Sequence, residues 1–542
     1  MTTAATAAAR KGAGIVLLTL SAAQFLMVLD SSVMNVSIGV VAKDIGTSVT
    51  GIQTAITFYA LVMATLMITG GKLGSMFGRR RVFSIGLVIY GTGSLVTAVA
   101  PNLLVLLIGW SVLEGIGGAL ILPAIVALVA TNFGVDERPK AYGAVAAAAA
   151  IAVAAGPVIG GLFTTYLSWR FVFAGEILAS LAILAIARRM EDHPVEDGSH
   201  LDLGGTALSA LGLGLIVYGV LKSGEWGFVR PHPGGTAWIG LSPVIFLMTA
   251  GGLVLLGFLA WEQHQIARGE DPLFDPAMLK VRVLRSGLTA FGFQFFLQAG
   301  LFFTIPLFLS VALGLSAVAT GVRLLPLSVT LIIAALGVPK VFPNASPRRV
   351  AQIGFLLLFA GIALLVGLLD VGSGPDVITW PMLIMGLAVG ALSSQLGAVT
   401  VSAVPDEQSS EVGGLQNTAT NFGASIGTAL AGAILISALT TTFLGGVASN
   451  PQVPKELAQR AQVELAGGVP FVSNADLQAA LTNADVPAPT AAQIVATNAD
   501  ARVAGLRAAL AVLALFALVA VWFTRHLPAE PVAGGGSGSV TE

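Results

Sequence analysis

The sequence predicts an all-α integral membrane protein with fourteen spanning helices, and three observations predict it. Apolar residues make up 55% of the 542 residues and charged residues only 10%, against roughly 25% charged in soluble globular proteins. The apolar residues gather in stretches of about twenty or more, the length that crosses a hydrocarbon core. The Lys and Arg fall in the short segments between those stretches, mostly on one side. The 65 Gly and 25 Pro fit the same reading, because both are tolerated in spanning helices and small residues let backbones approach. A net charge of −1 argues against a nucleic-acid partner. The absence of Cys removes disulfides, thiolate metal sites and Cys nucleophiles. The five His are scattered without metal-ligand spacing, so neither a metal nor a cofactor is expected.

The spans follow in order. Arg10 and Lys11 precede the apolar run Gly14–Ile38. It is too long for a signal-peptide core of about 7–15 residues, and reads as an uncleaved first helix. Then come Gly51–Leu73, Val82–Ala100, Leu103–Ala130, Tyr142–Tyr166, Phe171–Ala187 and Leu203–Leu221. The later seven are Trp238–Trp261, Ser286–Ala312, Val318–Val338, Val350–Leu369, Ile378–Ala403, Val412–Leu439 and Val503–Phe523. With the N-terminus placed in the cytoplasm, two-thirds of the 27 basic residues fall inside. They include Arg79-Arg80-Arg81, Arg188-Arg189, Lys280-Arg282-Arg285 and Arg348-Arg349. An even count returns the C-terminus to the cytoplasm.

One connection is long. Thr440–Arg502 falls outside and contains the amphipathic pieces PKELAQRAQVELAGG and NADLQAALTNA. It reads as a surface cap or tether, with a substrate-handling lid as the alternative. The tail VAGGGSGSVTE is flexible by composition. The loop GKLGSMFGRRRV after the second span is echoed by GVPKVFPNASPRRV after the tenth. Duplicated bundles are common in secondary transporters. Eight spans separate the echoes where a plain duplication gives six, so two extra spans, the seventh and eighth, are expected in the middle. The expected division is a six-helix bundle over 1–190, two inserted helices over 191–270, a second six-helix bundle over 271–530 that includes the 440–502 loop, and a tail over 531–542.

Four motifs carry chemistry. VLDSSVMNVSIG in the first span places Asp30 deep in an apolar helix, where an ionised carboxylate costs at least ~2.5 kcal/mol. Low dielectric disfavours the charged form, which suits the group to binding and releasing protons. The second motif is Gly71-Lys72-Leu73-Gly74-Ser75-Met76-Phe77-Gly78-Arg79-Arg80-Arg81, between spans two and three. Gly78 suits a left-handed helix end, and the arginines can anchor at headgroups or meet negative helix C-termini. Positive-inside topology alone would also explain them. GWSVLEGIGGALILPA in span four holds Glu114, ~16 Å from the outer end of its helix, and Asp30 lies ~12 Å from the end of its own. Two carboxyls at similar depth could share a cavity. AAGPVIGG in span five, with Gly156, Pro157, Gly160 and Gly161, combines a helix-bending proline with small residues for close or sliding contact. Glu176 in span six is a third intramembrane acid, suited to the same site or to a structural role. Asn35, Tyr59, Gln294, Gln298, Gln395, Asn417 and Asn421 are polar groups in apolar spans; each could line a substrate cavity or bridge helices.

Across nearly the whole chain these motifs resemble the fourteen-helix drug–proton antiporter family of the major facilitator superfamily. The resemblance implies two six-helix bundles plus two additional helices, working as a monomer in the bacterial inner membrane with a small-molecule substrate and protons. It implies that Asp30 and Asn35 mark the first helix, that the Gly71–Arg81 loop latches a cytoplasmic gate, and that AAGPVIGG is the exporters' antiporter motif. The chain departs from the pattern at Ser75, where the family has an acid, at Ser111, where it has Arg, and at Glu114, where it has Gln. An exporter of a lipid, glycolipid or specific metabolite on the same fold is the alternative, with a proton-coupled importer behind it. An integral-membrane enzyme is disfavoured, since no HExxH, GxSxG or Walker loop occurs.

Overall fold

The protein is described from a computed structural model, covering residues 3–133, 138–188, 190, 201–231, 236–342, 344–401, 403–404, 409–465 and 468–530. The helices in chain order are α1 (Thr3–Asp44), α2 (Val49–Phe77), α3 (Arg79–Ala98), α4 (Leu103–Leu106) and α5 (Gly115–Asn132), followed by α6 (Arg138–Tyr166) and α7 (Arg170–Ala187). After these come α8 (Leu203–Trp226), α9 (Pro243–Ala267), α10 (Arg282–Leu307), α11 (Ala317–Val341), α12 (Pro347–Leu368), α13 (Thr379–Val401) and α14 (Ser409–Ser449). Short helices α15 (Lys455–Glu464) and α16 (Asn474–Asn483) precede α17 (Ala488–Phe523). Among the described residues thirteen spans have the length and apolarity to cross a bilayer. The helix α6 makes a fourteenth if its two halves, bent by 42° between 143–153 and 155–166, are one span. Pro157 explains the bend, because it cannot donate to the residue-153 carbonyl and its ring crowds that carbonyl.

The helix ends obey local chemistry. Ser48, Asn102, Asp202, Ser242, Ser316 and Ser346 each accept a hydrogen bond from the first turn of the helix that follows, satisfying donors that would otherwise be orphaned. Gly78 joins α2 to α3 at φ 96°, a conformation that a side chain would strain. The arginine clusters lie together at one end of the molecule, here the basic end; α15 and α16 lie at the other, the cap end.

Packing begins with α1 on α6, α3 on α5 and α7, and α2 on α5. In the second half α10 packs on α14 and α13, α11 on α13, and α12 on α13 and α17. The halves meet along two seams. At the first, α2 and α14 run antiparallel along their length: Gln53 Nε2 donates to Ala429 O at 3.1 Å, Ser425 Oγ donates to Thr57 O at 2.9 Å, and Gly414 faces Ile68. At the second, α6 and α11 meet toward the cap end, where Val318 N donates to Thr165 Oγ1 at 3.0 Å. The helix α8 pairs with α9 and lies across the first seam. Thr206 hydrogen-bonds Thr69 of α2 at 3.1 Å, and Gly224 abuts Ala433 of α14. The helix α9 is peripheral, with most of its apolar length left unburied.

Some boundaries differ from the expected ones. The eighth span begins at Pro243 rather than Trp238, because Trp238 and Leu241 pair in an isolated bridge. The helix α14 continues to Ser449 and α17 begins at Ala488, so the long connection is shorter than Thr440–Arg502. Its two amphipathic pieces form α15 and α16. The connection is more embedded than a surface tether: Val453, Val469 and Phe471 are buried in the main apolar core. Arg502, also buried, donates to Asn474 Oδ1 at 2.6 Å, Val472 O at 3.1 Å and Val311 O at 3.3 Å. Lys43 of α1 pairs with Asp476 of α16 at 3.7 Å. The basic residue Arg323, near a helix end, pairs with Asp376. The 531–542 tail lies outside the described residues.

Candidate functional site

The segment between α4 and α5, Leu107–Glu114, is wound as a π-helix. Such insertions shift the facing of every later side chain and recur at functional sites. The segment packs against α3 through small residues. A Cβ on Gly93 would sit 2.6 Å from Glu114 Cγ, and one on Gly109 would sit 2.6 Å from Thr97 Oγ1. Glycine at both positions is therefore what admits the Glu114 side chain between the helices.

Asp30 of α1, Glu114 of the π-helical segment and Glu176 of α7 converge there. One carboxylate oxygen from each lies within 4.8 Å of those of the other two, and all three residues are buried. Trp110 Nε1 donates to both oxygens of Asp30, at 2.8 and 2.9 Å. Its ring stacks on Tyr59 with centroids 4.8 Å apart. Three donors come from α3: Thr97 Oγ1 reaches Glu114 Oε1 at 3.2 Å, while Tyr90 OH and Ser94 Oγ reach Glu176 Oε2 at 3.2 and 3.3 Å. Among the described residues Glu114 Oε2 and Glu176 Oε1 have no hydrogen-bond partner. Among the described residues no ion pair to Lys or Arg involves any of the three carboxylates. Sequence reasoning named the three acids but missed Trp110, Tyr90, Ser94 and Thr97. Trp110 was the recoverable one, since it stands four residues before Glu114 in a motif already singled out. The trio is the one grouping among the described residues whose spacing suits a cation, a geometry that the scattered His gave no hint of.

On α1, Ser32 and Asn35 point away from Asp30, as 100° per residue requires. They face a void of about 10 Å³ between the two halves, the space of about one water. Asn35, Pro157, Phe302, Pro306 and Leu324 close around it from α1, α6, α10 and α11. Of the other expected cavity groups, Tyr59 belongs to the carboxyl cluster. Gln294 bridges to Ser393 Oγ at 2.7 Å, and Asn421 Nδ2 donates to Asn417 O within its own helix. Gln298 and Gln395 are half-buried on α10 and α13.

AAGPVIGG is a crossing point. Gly156 and Gly160 meet Ser32 and Val33 of α1, whereas Gly161 meets Ala317 and Val318 of α11, and Pro157 O meets Gly321. The Gly71–Arg81 stretch, expected as a loop, is helical on both sides of Gly78; a Cβ on Gly71 would meet the Pro123 side chain and one on Gly74 the Arg79 side chain. Lys72 pairs with Asp271 beyond α9 at 3.5 Å. Arg79 Nη1 donates to Ala127 O of α5 at 3.4 Å, and Arg80 Nη1 donates to Met190 O at 2.9 Å and Arg188 O at 3.3 Å, past the end of α7. Arg80 thus meets carbonyls at a helix C-terminal end, where the dipole favours cations, while the Arg79 contact lies one turn inside α5. Arg81 is exposed. The Ser75 side chain lies outside the described residues.

Thirteen or fourteen apolar spans among the described residues, two seams between the halves and a buried cluster of acids define a polytopic membrane protein of the secondary-transporter class. The profile of the family described as Major Facilitator Superfamily matches residues 20–428, and the chain belongs to that family. It is 31% identical to the puromycin resistance protein pur8 of Streptomyces alboniger over 80% of this chain and 84% of that one. It is 28% identical to the tetracenomycin C resistance and export protein of Streptomyces glaucescens, over 84% and 82%. Among solved structures, a bacterial homologue of the human lysosomal transporter Spinster, inward-facing and unoccupied, superposes with a TM-score of 0.61 at 14% identity, covering 95% of this chain and 98% of that one.

Proposed function

We propose that the chain is a proton-coupled antiporter of the multidrug-efflux type. It exports small lipophilic or cationic compounds across the bacterial inner membrane by alternating access, as a monomer with both termini in the cytoplasm. Residues 1–190 and 271–530 act as the two rocking bundles, and 191–270 supplies the two additional helices. The relatives' roles in resistance and export support the substrate class and the direction. The reading assigns transport rather than catalysis.

The observation that carries the coupling is the carboxyl trio. Two unit charges 4.8 Å apart repel by about 3 kcal/mol at an effective dielectric of ~20, and the trio contains three such pairs. Trp110, Tyr90, Ser94 and Thr97 offer it hydrogen bonds but no positive charge. The cluster therefore holds protons in its resting form, and losing them is what creates the negative charge that a cationic substrate can balance. Protons load from outside and leave to the cytoplasm as the bundles rock. A potential of 100 mV is worth ~2.3 kcal/mol per charge moved, roughly fifty-fold accumulation per net charge.

The test is uptake into everted vesicles under an imposed pH gradient, with puromycin and tetracenomycin C as the first compounds. Asp30→Asn should abolish gradient-driven uptake while exchange at equal pH survives. Uphill uptake at the wild-type rate in that variant would place the coupling elsewhere.

A further inference from the structure

We propose that the groove between α3 and α7 at the basic end binds one anionic phospholipid, holding its phosphate on arginines and its first acyl segment on an apolar wall. The groove has a volume of about 590 Å³, within the range of small-molecule sites and far larger than a simple ion needs. Arg80, Arg81 and Arg188 rim it, and Ile85, Val88 and Leu184 form the wall below.

Its two sides are built alike. On α3, Arg81, Ile85 and Val88 follow at i, i+4 and i+7; at the end of α7, Leu184 and Arg188 follow at i, i+4. Such spacings stack side chains on one helix face. Each side therefore presents a guanidinium at the helix end with apolar side chains one to two turns deeper. Arg81 to Val88 spans ~10 Å along the axis, which takes the wall from headgroup depth into the hydrocarbon. Arg80 is held in place by its bonds to Met190 O and Arg188 O. Ile85 and Val88 are 51% and 53% exposed, on a surface that faces acyl chains. Charge above and hydrocarbon below match an anionic phospholipid, and basic pockets between spanning helices take such headgroups. A free anion would use only the rim.

The test is native mass spectrometry of the full chain, delipidated in mild detergent and titrated with phosphatidylglycerol, phosphatidylcholine or inorganic phosphate. Wild type should retain one phosphatidylglycerol more tightly than phosphatidylcholine. The double variant Arg81→Gln/Arg188→Gln should weaken that retention on the order of thirty-fold, at about fivefold per arginine. Arg268→Gln/Arg349→Gln, elsewhere at the basic end, should leave it unchanged. The pair Arg81→Lys/Arg188→Lys keeps the charge and should keep most of the retention, which separates loss of the site from loss of the fold. Equal retention of the two lipids, unchanged retention in the double Gln variant, or full displacement by millimolar inorganic phosphate would each overturn the proposal.

Discussion

Gly161→Ala should prise α6 away from α11 at the cap end. A Cβ at Gly161 would stand 2.6 Å from Ala317 O and 2.7 Å from Val318 Cα. Both are main-chain atoms, so no rotamer relieves the contact. Ordinary Cβ contacts begin near 3.4 Å, so the helices must part by about 0.7–0.8 Å. Overpacking of this kind costs ~1–3 kcal/mol. If it falls on the closed seam alone, the closed population drops roughly five- to 150-fold. The chain has no Cys, so an introduced pair reports without background. Thr165→Cys/Val318→Cys places two thiols across the seam, where Thr165 Oγ1 and Val318 N are now 3.0 Å apart. Adding Gly161→Ala should slow oxidative cross-linking in membranes by that factor and slow turnover with it. Gly143→Ala on the same helix, where a Cβ meets nothing within 4 Å, should change neither. An unchanged cross-linking rate in folded Gly161→Ala protein would refute the seam as a moving contact.

Glu114→Gln should cut gradient-driven uptake at least tenfold, and Glu176→Gln should cut it less, because Tyr90 and Ser94 already engage Glu176; vesicle uptake under a pH gradient measures both. Arg79→Gln or Arg80→Gln should slow turnover severalfold while substrate affinity, read by equilibrium binding, stays within about twofold; a large loss of affinity would put the Gly71–Arg81 loop at the substrate site. Arg502→Ala removes three hydrogen bonds from a buried guanidinium, two of them to acceptors that Asn498 Nδ2 also reaches, and should destabilise the protein by about 1–3 kcal/mol, seen as a lowered unfolding temperature in detergent. The embedded core residues of the cap make the same point about replacing Pro451–Asp500 with a short linker: it should lower stability before it alters coupling.

Spans were legible because hydropathy needs only apolar length. The depth of Asp30 and Glu114 was legible because helical rise is fixed, and the two do meet. What was hidden depends on facing and long-range approach. The π-helical turn at 107–114 alters the register by an amount that no local pattern announces. Tyr90, Ser94 and Thr97 read as ordinary residues of an apolar helix until α3 is laid against α5. The continuation of α14 to Ser449 is hidden because Thr440–Ser449 is rich in Thr and Gly, residues that carry no helical signal once the apolar stretch has ended. Arg502 read as a residue of the outer boundary, since nothing near it in sequence foretells the Asn474 side chain and the two carbonyls that receive it.

The placing of α8 makes the molecule one-sided toward its lipid surroundings. With Thr206 on α2 and Gly224 on α14, α8 roofs the first seam, and α9 covers it in turn. Among the described residues the second seam, between α6 and α11, has no such roof of inserted helices. A lipophilic compound dissolved in a leaflet therefore meets a blank wall on one flank. Under the proposed efflux function, a compound passing sideways between leaflet and interior would cross the α6–α11 flank, where the helices meet main chain to main chain, and the bilayer would see a single door.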